Sequence, residues 1–246
     1  MRTAILSDIH ANREALAACL AHARREGAER YVFLGDMVGY GADPGWCLDT
    51  VMAYCADGAI ALLGNHDEAV LAQSVDMNSM ARAAIDWTRG QIDDTHRAFL
   101  ASRMLSREEG DVLYVHASAA TPHDWPYIEG PRDAAQSLSF TTRRITVCGH
   151  VHVPRYFYTA QGQQIEEFIP TAGFPLPLLR QRRWVIVLGA VGQPRDGNPA
   201  AAYGMLDTAQ GRLTLHRVPY DIDSAARKIR QAGLPDFLAA RLFAGS

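Results

Sequence analysis

The sequence predicts an α/β fold built on parallel strands, and three observations carry that expectation. Short apolar runs alternate with helical patterns through the first two thirds, each run ends abruptly in a polar tip, and the remainder is β-rich. At 246 residues the chain has the length for one sizeable domain with an ample core, spanning 1–246.

Residues 3–7 form an apolar strand that ends in Asp8-Ile9-His10. Asn12 is a good N-cap, and Ala15, Leu16, Cys19, Leu20 and Ala23 fall at helical spacing until Gly27 closes the helix. A second strand over 30–34 ends in Gly35-Asp36, and this strand-helix-strand unit implies parallel pairing through a right-handed crossover. Gly39, Gly41 and Pro44 mark a loop before a helix over 46–55. The apolar run 59–63 reads as a buried strand stopping at Gly64, where the backbone can turn without a Cβ clash, and Asn65, His66 and Asp67 follow.

From 77 to about 102 the period becomes helical, a helical pair laid over the sheet. A strand over 111–115 ends in His116, a helix covers 131–138, and a strand over 145–148 ends in Gly149-His150-Val151-His152. Further strands are expected at 155–159, 164–170, 184–188, 202–206 and 212–217, with Gln210-Gly211 turning the last pair into a hairpin. Two helices, 223–231 and 235–243, close the chain, and no repeat, low-complexity tract or linker divides it.

The composition is that of an ordinary globular protein, 48% hydrophobic and 21% charged, and a net charge of −3 gives no general attraction to nucleic acid or anionic membrane. Cys19, Cys47, Cys55 and Cys148 show no CxxC spacing and read as reduced thiols of a cytoplasmic protein. Met1-Arg2-Thr3 runs straight into a strand, so no signal peptide is expected, and no apolar run approaches membrane-spanning length.

The chemistry lies at five strand ends: Asp8 with His10, Asp36, Asn65 with His66, His116, and His150 with His152. Taken singly, each has an ordinary explanation in turn capping or surface exposure. Jointly, two carboxylates, one amide and four imidazoles without a thiolate are the donors for a pair of divalent transition metals, drawn from Mn, Fe, Co, Ni or Zn. One carboxylate must bridge, and Asp36 is the natural candidate because no ligand partner lies near it in sequence. His66 is left over beside a ligand, and a histidine titrating near neutrality suits acid duty. Two cations about 3.5–4 Å apart lower the pKa of a bridging water and clamp phosphoryl oxygens, so no serine or cysteine nucleophile is needed.

In order, Asp8-Ile9-His10, Gly35-Asp36, Gly64-Asn65-His66-Asp67, His116 and Gly149-His150-Val151-His152 resemble the motifs of the calcineurin-like metallophosphoesterases. The resemblance implies a four-layer α/β/β/α sandwich with two mixed β-sheets and a dinuclear site at the strand ends. It also implies that Asp8, His10 and His152 hold one metal, that Asn65, His116 and His150 hold the other, and that Asp36 bridges them. His66 would donate to the phosphate and protonate the leaving oxygen.

Gly35-Asp36-Met37 lacks the arginine that follows the aspartate in Ser/Thr protein phosphatases, and Asp67 replaces their glutamate. The DNA-repair nucleases of the superfamily share Gly-Asn-His-Asp but are longer and carry a DNA-binding cap. Residues 191–197, with the strand containing Tyr203 and the terminal helices, resemble a branch of small bacterial phosphoesterases that includes diadenosine tetraphosphate hydrolases. Val187-Leu188-Gly189-Ala190 stands where that branch has Asn-Pro-Gly-Ser, which keeps the turn but loses an amide and a hydroxyl. The expected substrate is a small nucleotide-type phosphodiester or phosphoanhydride. A phosphoprotein substrate and a non-catalytic scaffold are the alternatives, and no ligand position is missing to favour the scaffold. Candidate substrate contacts are Asn12, Tyr40, His123 and Arg195. Arg195 suits a bidentate phosphate contact or is a surface arginine in a Gly/Pro loop, and Tyr40 stacks on a base or simply packs.

Overall fold

The computed structural model describes residues 1–72, 77–160 and 163–246. Among them the chain runs β1 (Arg2–Leu6), α1 (Arg13–Arg25), β2 (Arg30–Phe33), α2 (Pro44–Ala56), β3 (Ile60–Ala61) and α3 (Asn65–Leu71). Helices α4 (Ser79–Arg89) and α5 (Asp94–Ala101) follow, then β4 (Ser106–Glu109), β5 (Val112–Val115), α6 (Pro131–Ser139) and β6 (Ile145–Cys148). The rest is β7 (Arg155–Ala160), β8 (Glu166–Phe168), β9 (Pro175–Pro177), β10 (Arg182–Val187), β11 (Ala201–Asp207), β12 (Arg212–Val218), α7 (Ile222–Gln231) and α8 (Asp236–Ala244).

The strands form two six-stranded mixed sheets, ordered β3-β2-β1-β11-β12-β9 and β4-β5-β6-β10-β7-β8. Strands β1, β2 and β3 are mutually parallel, as are β5, β6 and β10, so each sheet has a parallel half whose C-terminal ends emerge together. The helical crossover from β1 to β2 is the unit that the apolar spacing of α1 predicts, with Asn12 capping it through Oδ1, which accepts from the Ala15 N–H at 3.1 Å.

Period-two alternation builds the layers. On β1, Ala4 and Leu6 face α1 and α2, among Leu16, Cys19, Leu48 and Val51, while Ile5 points the other way. Ile5 meets Val147, Trp184 and Ile186 of the second sheet, so hydrophobic side chains fill the inter-sheet layer. Val185 and Val187 alternate out of that layer to meet Ala134 and Leu138 of α6. The result is the four-layer α/β/β/α sandwich of the sequence expectation. Helices α7 and α8 add a small cluster of their own, packing Ala225, Ile229, Leu238 and Leu242 on Ala81 and Ala84 of α4 and on Tyr40. No helix among the described residues is long and apolar enough to cross a membrane.

Three elements depart from the sequence expectation. Helix α3, absent from the sequence expectation, begins at Asn65 and places Asn65 and His66 in a helical first turn. Strand β4, Ser-Arg-Glu-Glu, has no apolar pattern because it is an edge, where charge guards against association. Its Glu109 instead ties the sheets together, accepting from both Nη atoms of Arg30 at 3.0 and 3.2 Å. Strand β9 is a second edge, framed by prolines that cannot complete a ladder.

Burial separates two phenylalanines of equal chemistry. Phe157 is 0% exposed and Phe140 is 63% exposed. Phe157→Ala is expected to cost about 3–5 kcal/mol, and Phe140→Ala to stay within about 0.5 kcal/mol, both read by urea denaturation.

Candidate metal centre

All five polar tips lie at C-terminal strand ends of the parallel halves, where open α/β sheets bind ligands. Backbone hydrogen bonds continue past the strands and stitch the tips together: Asp8 N–H donates to the Gly35 carbonyl (3.1 Å), His10 N–H to Asp36 (2.9 Å) and Gly149 N–H to His116 (2.9 Å). Val191 and Gly192, following β10, donate to the Ser7 and Asp8 carbonyls and so join the second sheet to the first. The chain turns sharply at three of the tips, those after β1, β2 and β6. Asp8, His10, Asp36, His150 and His152 have φ of +55°, +49°, +54°, +66° and +64°, the left-handed region that Asp and His enter more readily than most residues. Such backbone costs of order 1–3 kcal/mol per residue and concentrates at functional sites.

Two clusters result. Asp8, His10, Asp36 and His152 converge, and so do Asp36, His116 and His150, all of them buried. Asp36 belongs to both. Its Oδ1 accepts the His66 N–H at 2.8 Å, leaving Oδ2 to face His116 Nε2 at 3.4 Å and His10 Nε2 at 3.7 Å. Asn65 stands in the second cluster, its Oδ1 3.3 Å from His116 Nε2. Asp8 Oδ1 lies 3.3 Å from His152 Nε2, and its two oxygens accept the His150 N–H at 3.1 and 3.0 Å.

Backbone carbonyls choose the nitrogen each imidazole presents. His10 Nδ1 faces the Val38 carbonyl (3.2 Å), His116 Nδ1 that of Leu34 (3.1 Å) and His152 Nδ1 that of Gln193 (2.7 Å). A carbonyl only accepts, so each Nδ1 carries a proton and each ring turns Nε2 to the centre, a bare lone pair on His10 and His152. His150 is reversed: Nε2 donates to the Trp125 carbonyl at 2.9 Å, leaving Nδ1. His10 Nε2 and His152 Nε2 then face one another at 3.0 Å with no proton between them. Two nitrogens bound to one cation at about 2.1 Å lie about 3.0–3.4 Å apart. This contact, repulsive in a bare site, fits a shared divalent cation.

The electrostatics agree. Burial pushes His10 and His152 below the usual imidazole value, and burial with the neighbouring His116 takes His150 down to about 3. All three therefore present lone pairs near neutral pH. Burial opposes ionisation of Asp8 and Asp36, but His152 beside Asp8 and His116 beside Asp36 outweigh it and hold both carboxyls below their ordinary range. His116 rises to about 9, since Asp36 overcomes its burial.

His66 sits against this centre without joining either cluster, its ring 4.8 Å from His10 and 4.5 Å from Tyr40. Its Nδ1 is buried without a partner. Burial pushes it down to about 4, below the near-neutral value expected from the sequence, so the ring enters the site as neutral imidazole. Asp67 is also buried, and its carboxylate accepts the N–H groups of Met37 (2.8 Å), Val38 (3.2 Å) and Gly64 (3.1 Å), pinning the loop of Asp36 to the tip of β3. That pinning role is missed by the sequence reading, although the acidic residue at the start of a helix signals it. Gly64 is there because a Cβ would run into the Asp36 backbone nitrogen and Oδ1.

The expected substrate contacts divide. Tyr40 is buried against His10 and His66, and the Arg195 guanidinium lies over its ring at 5.7 Å. Asn12 is spent on structure: Oδ1 caps α1 and Nδ2 donates to the Gly192 carbonyl at 2.8 Å. His123 has a 65% exposed side chain and turns to Asp124 at 3.1 Å. Its loop delivers Trp125 and Tyr127 instead. Trp125 holds His150 and donates from Nε1 to Glu68 at 2.8 Å, while Tyr127, half exposed, stacks on the His150 ring at 4.2 Å. No periodicity marks either aromatic residue, because the loop lies outside regular elements.

Asp36→Asn removes the shared negative charge and is expected to lower metal content markedly from two ions per chain, read by elemental analysis of reconstituted protein. Gly64→Ala should displace Asp36 and reduce metal content in the same assay while leaving every ligand residue in place.

Residues 1–211 match the calcineurin-like phosphoesterase superfamily domain. The chain is 34% identical to protein MJ0912 of Methanocaldococcus jannaschii, over 98% of this chain and 97% of that one. Its fold superposes on the crystal structure of a metallophosphoesterase from Sphaerobacter thermophilus with a TM-score of 0.89 and 37% identity, covering 100% of both chains. Protein PH1004 of Pyrococcus horikoshii OT3 shares the fold at a TM-score of 0.81 and 16% identity, over 100% of this chain and 98% of that one. The chain belongs to the calcineurin-like phosphoesterase superfamily, and is thus a metal-dependent phosphoric ester hydrolase.

Proposed function

We propose that the chain hydrolyses phosphodiester or phosphoanhydride bonds of small nucleotide-type substrates at a dinuclear centre ligated by Asp8, His10, Asp36, Asn65, His116, His150 and His152. The observation that carries this reading is the Asp36 Oδ2 atom, faced by imidazoles of both clusters. When bound, two divalent cations supply Lewis acidity and activate water. An O- and N-rich donor set without thiolate suits Mn, Fe, Co, Ni or Zn.

The protein side chains orient, donate and exclude. No thiol competes as nucleophile: Cys19, Cys47 and Cys148 are buried, Cys55 is partly buried, and burial pushes all four thiols up. In this reading His66, whose buried Nδ1 has no partner, donates a hydrogen bond to the phosphoryl or leaving oxygen. Tyr127, half exposed beside His150, offers aromatic surface at the centre, which supports a nucleotide-type substrate. The residue after Asp36 is Met37, not the arginine of the protein phosphatases, and this favours small substrates over phosphoproteins. A net charge of −3 argues against a nucleic-acid polymer.

A substrate panel on metal-loaded protein should rank bis-nitrophenyl phosphate and diadenosine tetraphosphate above a phosphopeptide, and the reverse order would favour a protein phosphatase. His66→Ala should lower kcat by about 10²–10⁴-fold with near wild-type metal content. The loss should be smaller for nitrophenyl esters, whose leaving group needs little protonation. Equal losses for good and poor leaving groups would make His66 a phosphate binder, and loss of metal would make it a ligand.

A further inference from the structure

Residues 117–130 join β5 to α6 and pass beside one half of the centre. The ends of this strap are fastened to α6 and to the second sheet. Ala119 N–H donates to Ser137 Oγ of α6 at 3.1 Å, Ile128 is buried with Ala134, Leu138 and Phe157, and the Glu129 carbonyl accepts from Arg155 Nη1 at 2.7 Å. Between the ends, Thr121 and Trp125 flank a single 3₁₀ turn at Pro122–Asp124, with φ of +47° and +53°. Left-handed backbone is a rare state for a β-branched or bulky residue. It persists only where the surroundings over-determine it.

Trp125 is held from three directions. Its indole Nε1–H donates to Glu68 Oε2 at 2.8 Å, its carbonyl accepts from His150 Nε2 at 2.9 Å, and its ring stands edge-on to that of His116 at 5.6 Å. Glu68 lies one helical turn after Asn65 on α3. The three contacts thus reach His116, His150 and the helix that carries Asn65, which are the partners of Asp36 in the second cluster. The imidazoles of the first cluster are set by other carbonyls, those of Val38 and Gln193. Tyr127 stacks on His150 with the ring planes 16° apart, so the strap grips that imidazole at one edge and on one face.

We propose that Trp125 is a positioning residue for one ion of the pair. Through Glu68 and His150 it keeps Asn65 and His150 in register, so that the second cluster depends on the strap and the first does not. The inference rests on the dinuclear reading and deepens it, because it makes the two sites unequal. An indole N–H only donates and a carboxylate only accepts, so the bond from Trp125 to Glu68 has one direction. That bond fixes the strap on α3, and the Trp125 carbonyl then sets the plane of the His150 ring and turns its Nδ1 to the centre. Contacts behind the ligands of this kind are worth about 10–100-fold in metal affinity.

The test is titration of metal-free protein with manganese(II), the free ion being read by its electron paramagnetic resonance signal, which gives the number of ions bound and both dissociation constants. Trp125→Phe keeps a ring and the carbonyl but loses the donor, and Glu68→Ala loses the acceptor. Each should weaken one ion by about 10–100-fold and leave the other as in wild type. Glu68→Gln retains an acceptor oxygen and should restore both constants. If Trp125→Phe failed to fold, Glu68→Ala would decide. Unchanged constants in a folded variant, or equal weakening of both ions, would overturn the positioning role. Wild-type stoichiometry is scored separately: two ions whose affinities ignore the variants would remove the positioning role alone. A wild type that takes up fewer than two ions would remove the dinuclear reading and the inference with it.

Discussion

The centre depends on where one carboxylate is held. Asp36 leaves β2 with left-handed backbone, gives its carbonyl to the His10 N–H, and takes the His66 N–H on Oδ1. Only Oδ2 then remains to face outward, and imidazoles of both clusters converge on it. Three N–H bonds to Asp67 fix the loop behind it, and the bare Cα of Gly64 makes the room in front. A Cβ at Gly64 would run into Asp36, the residue that both clusters share.

The imidazoles are oriented by backbone carbonyls and owe nothing to one another. Each of those carbonyls belongs to a strand end or to a loop that follows a strand, so the apolar layer between the sheets indirectly aims the lone pairs. This arrangement is pre-organised at the expense of stability. Five ligand candidates sit in left-handed backbone, two carboxylates are buried together, and two bare nitrogens face each other at 3.0 Å. The surrounding sandwich holds that strain in place, and cations bound between these groups would relieve the electrostatic part of it.

Much of this was legible in the sequence, for a physical reason. Parallel strands buried on both faces write themselves as continuous apolar runs, and a functional tip interrupts the run with polar residues, so Asp8, Asp36, Asn65, His116 and His150 stood out one after another. Edges did not stand out: β4 is charged because it borders solvent, and β9 is framed by prolines. Residues acting through geometry alone were also hidden. Asp67 carries no chemistry of its own, and Trp125 and Tyr127 lie in a loop without period. Asn12 erred the other way, since an amide beside the site was already committed at both ends.

The central claim is that one carboxylate joins two metal sites, and electron paramagnetic resonance of the manganese-loaded protein addresses it most directly. A shared Asp36 oxygen would hold the ions about 3.5–4 Å apart. The account predicts the broad, multi-line spectrum of an exchange-coupled pair. A simple six-line signal from magnetically isolated manganese at full loading would contradict it.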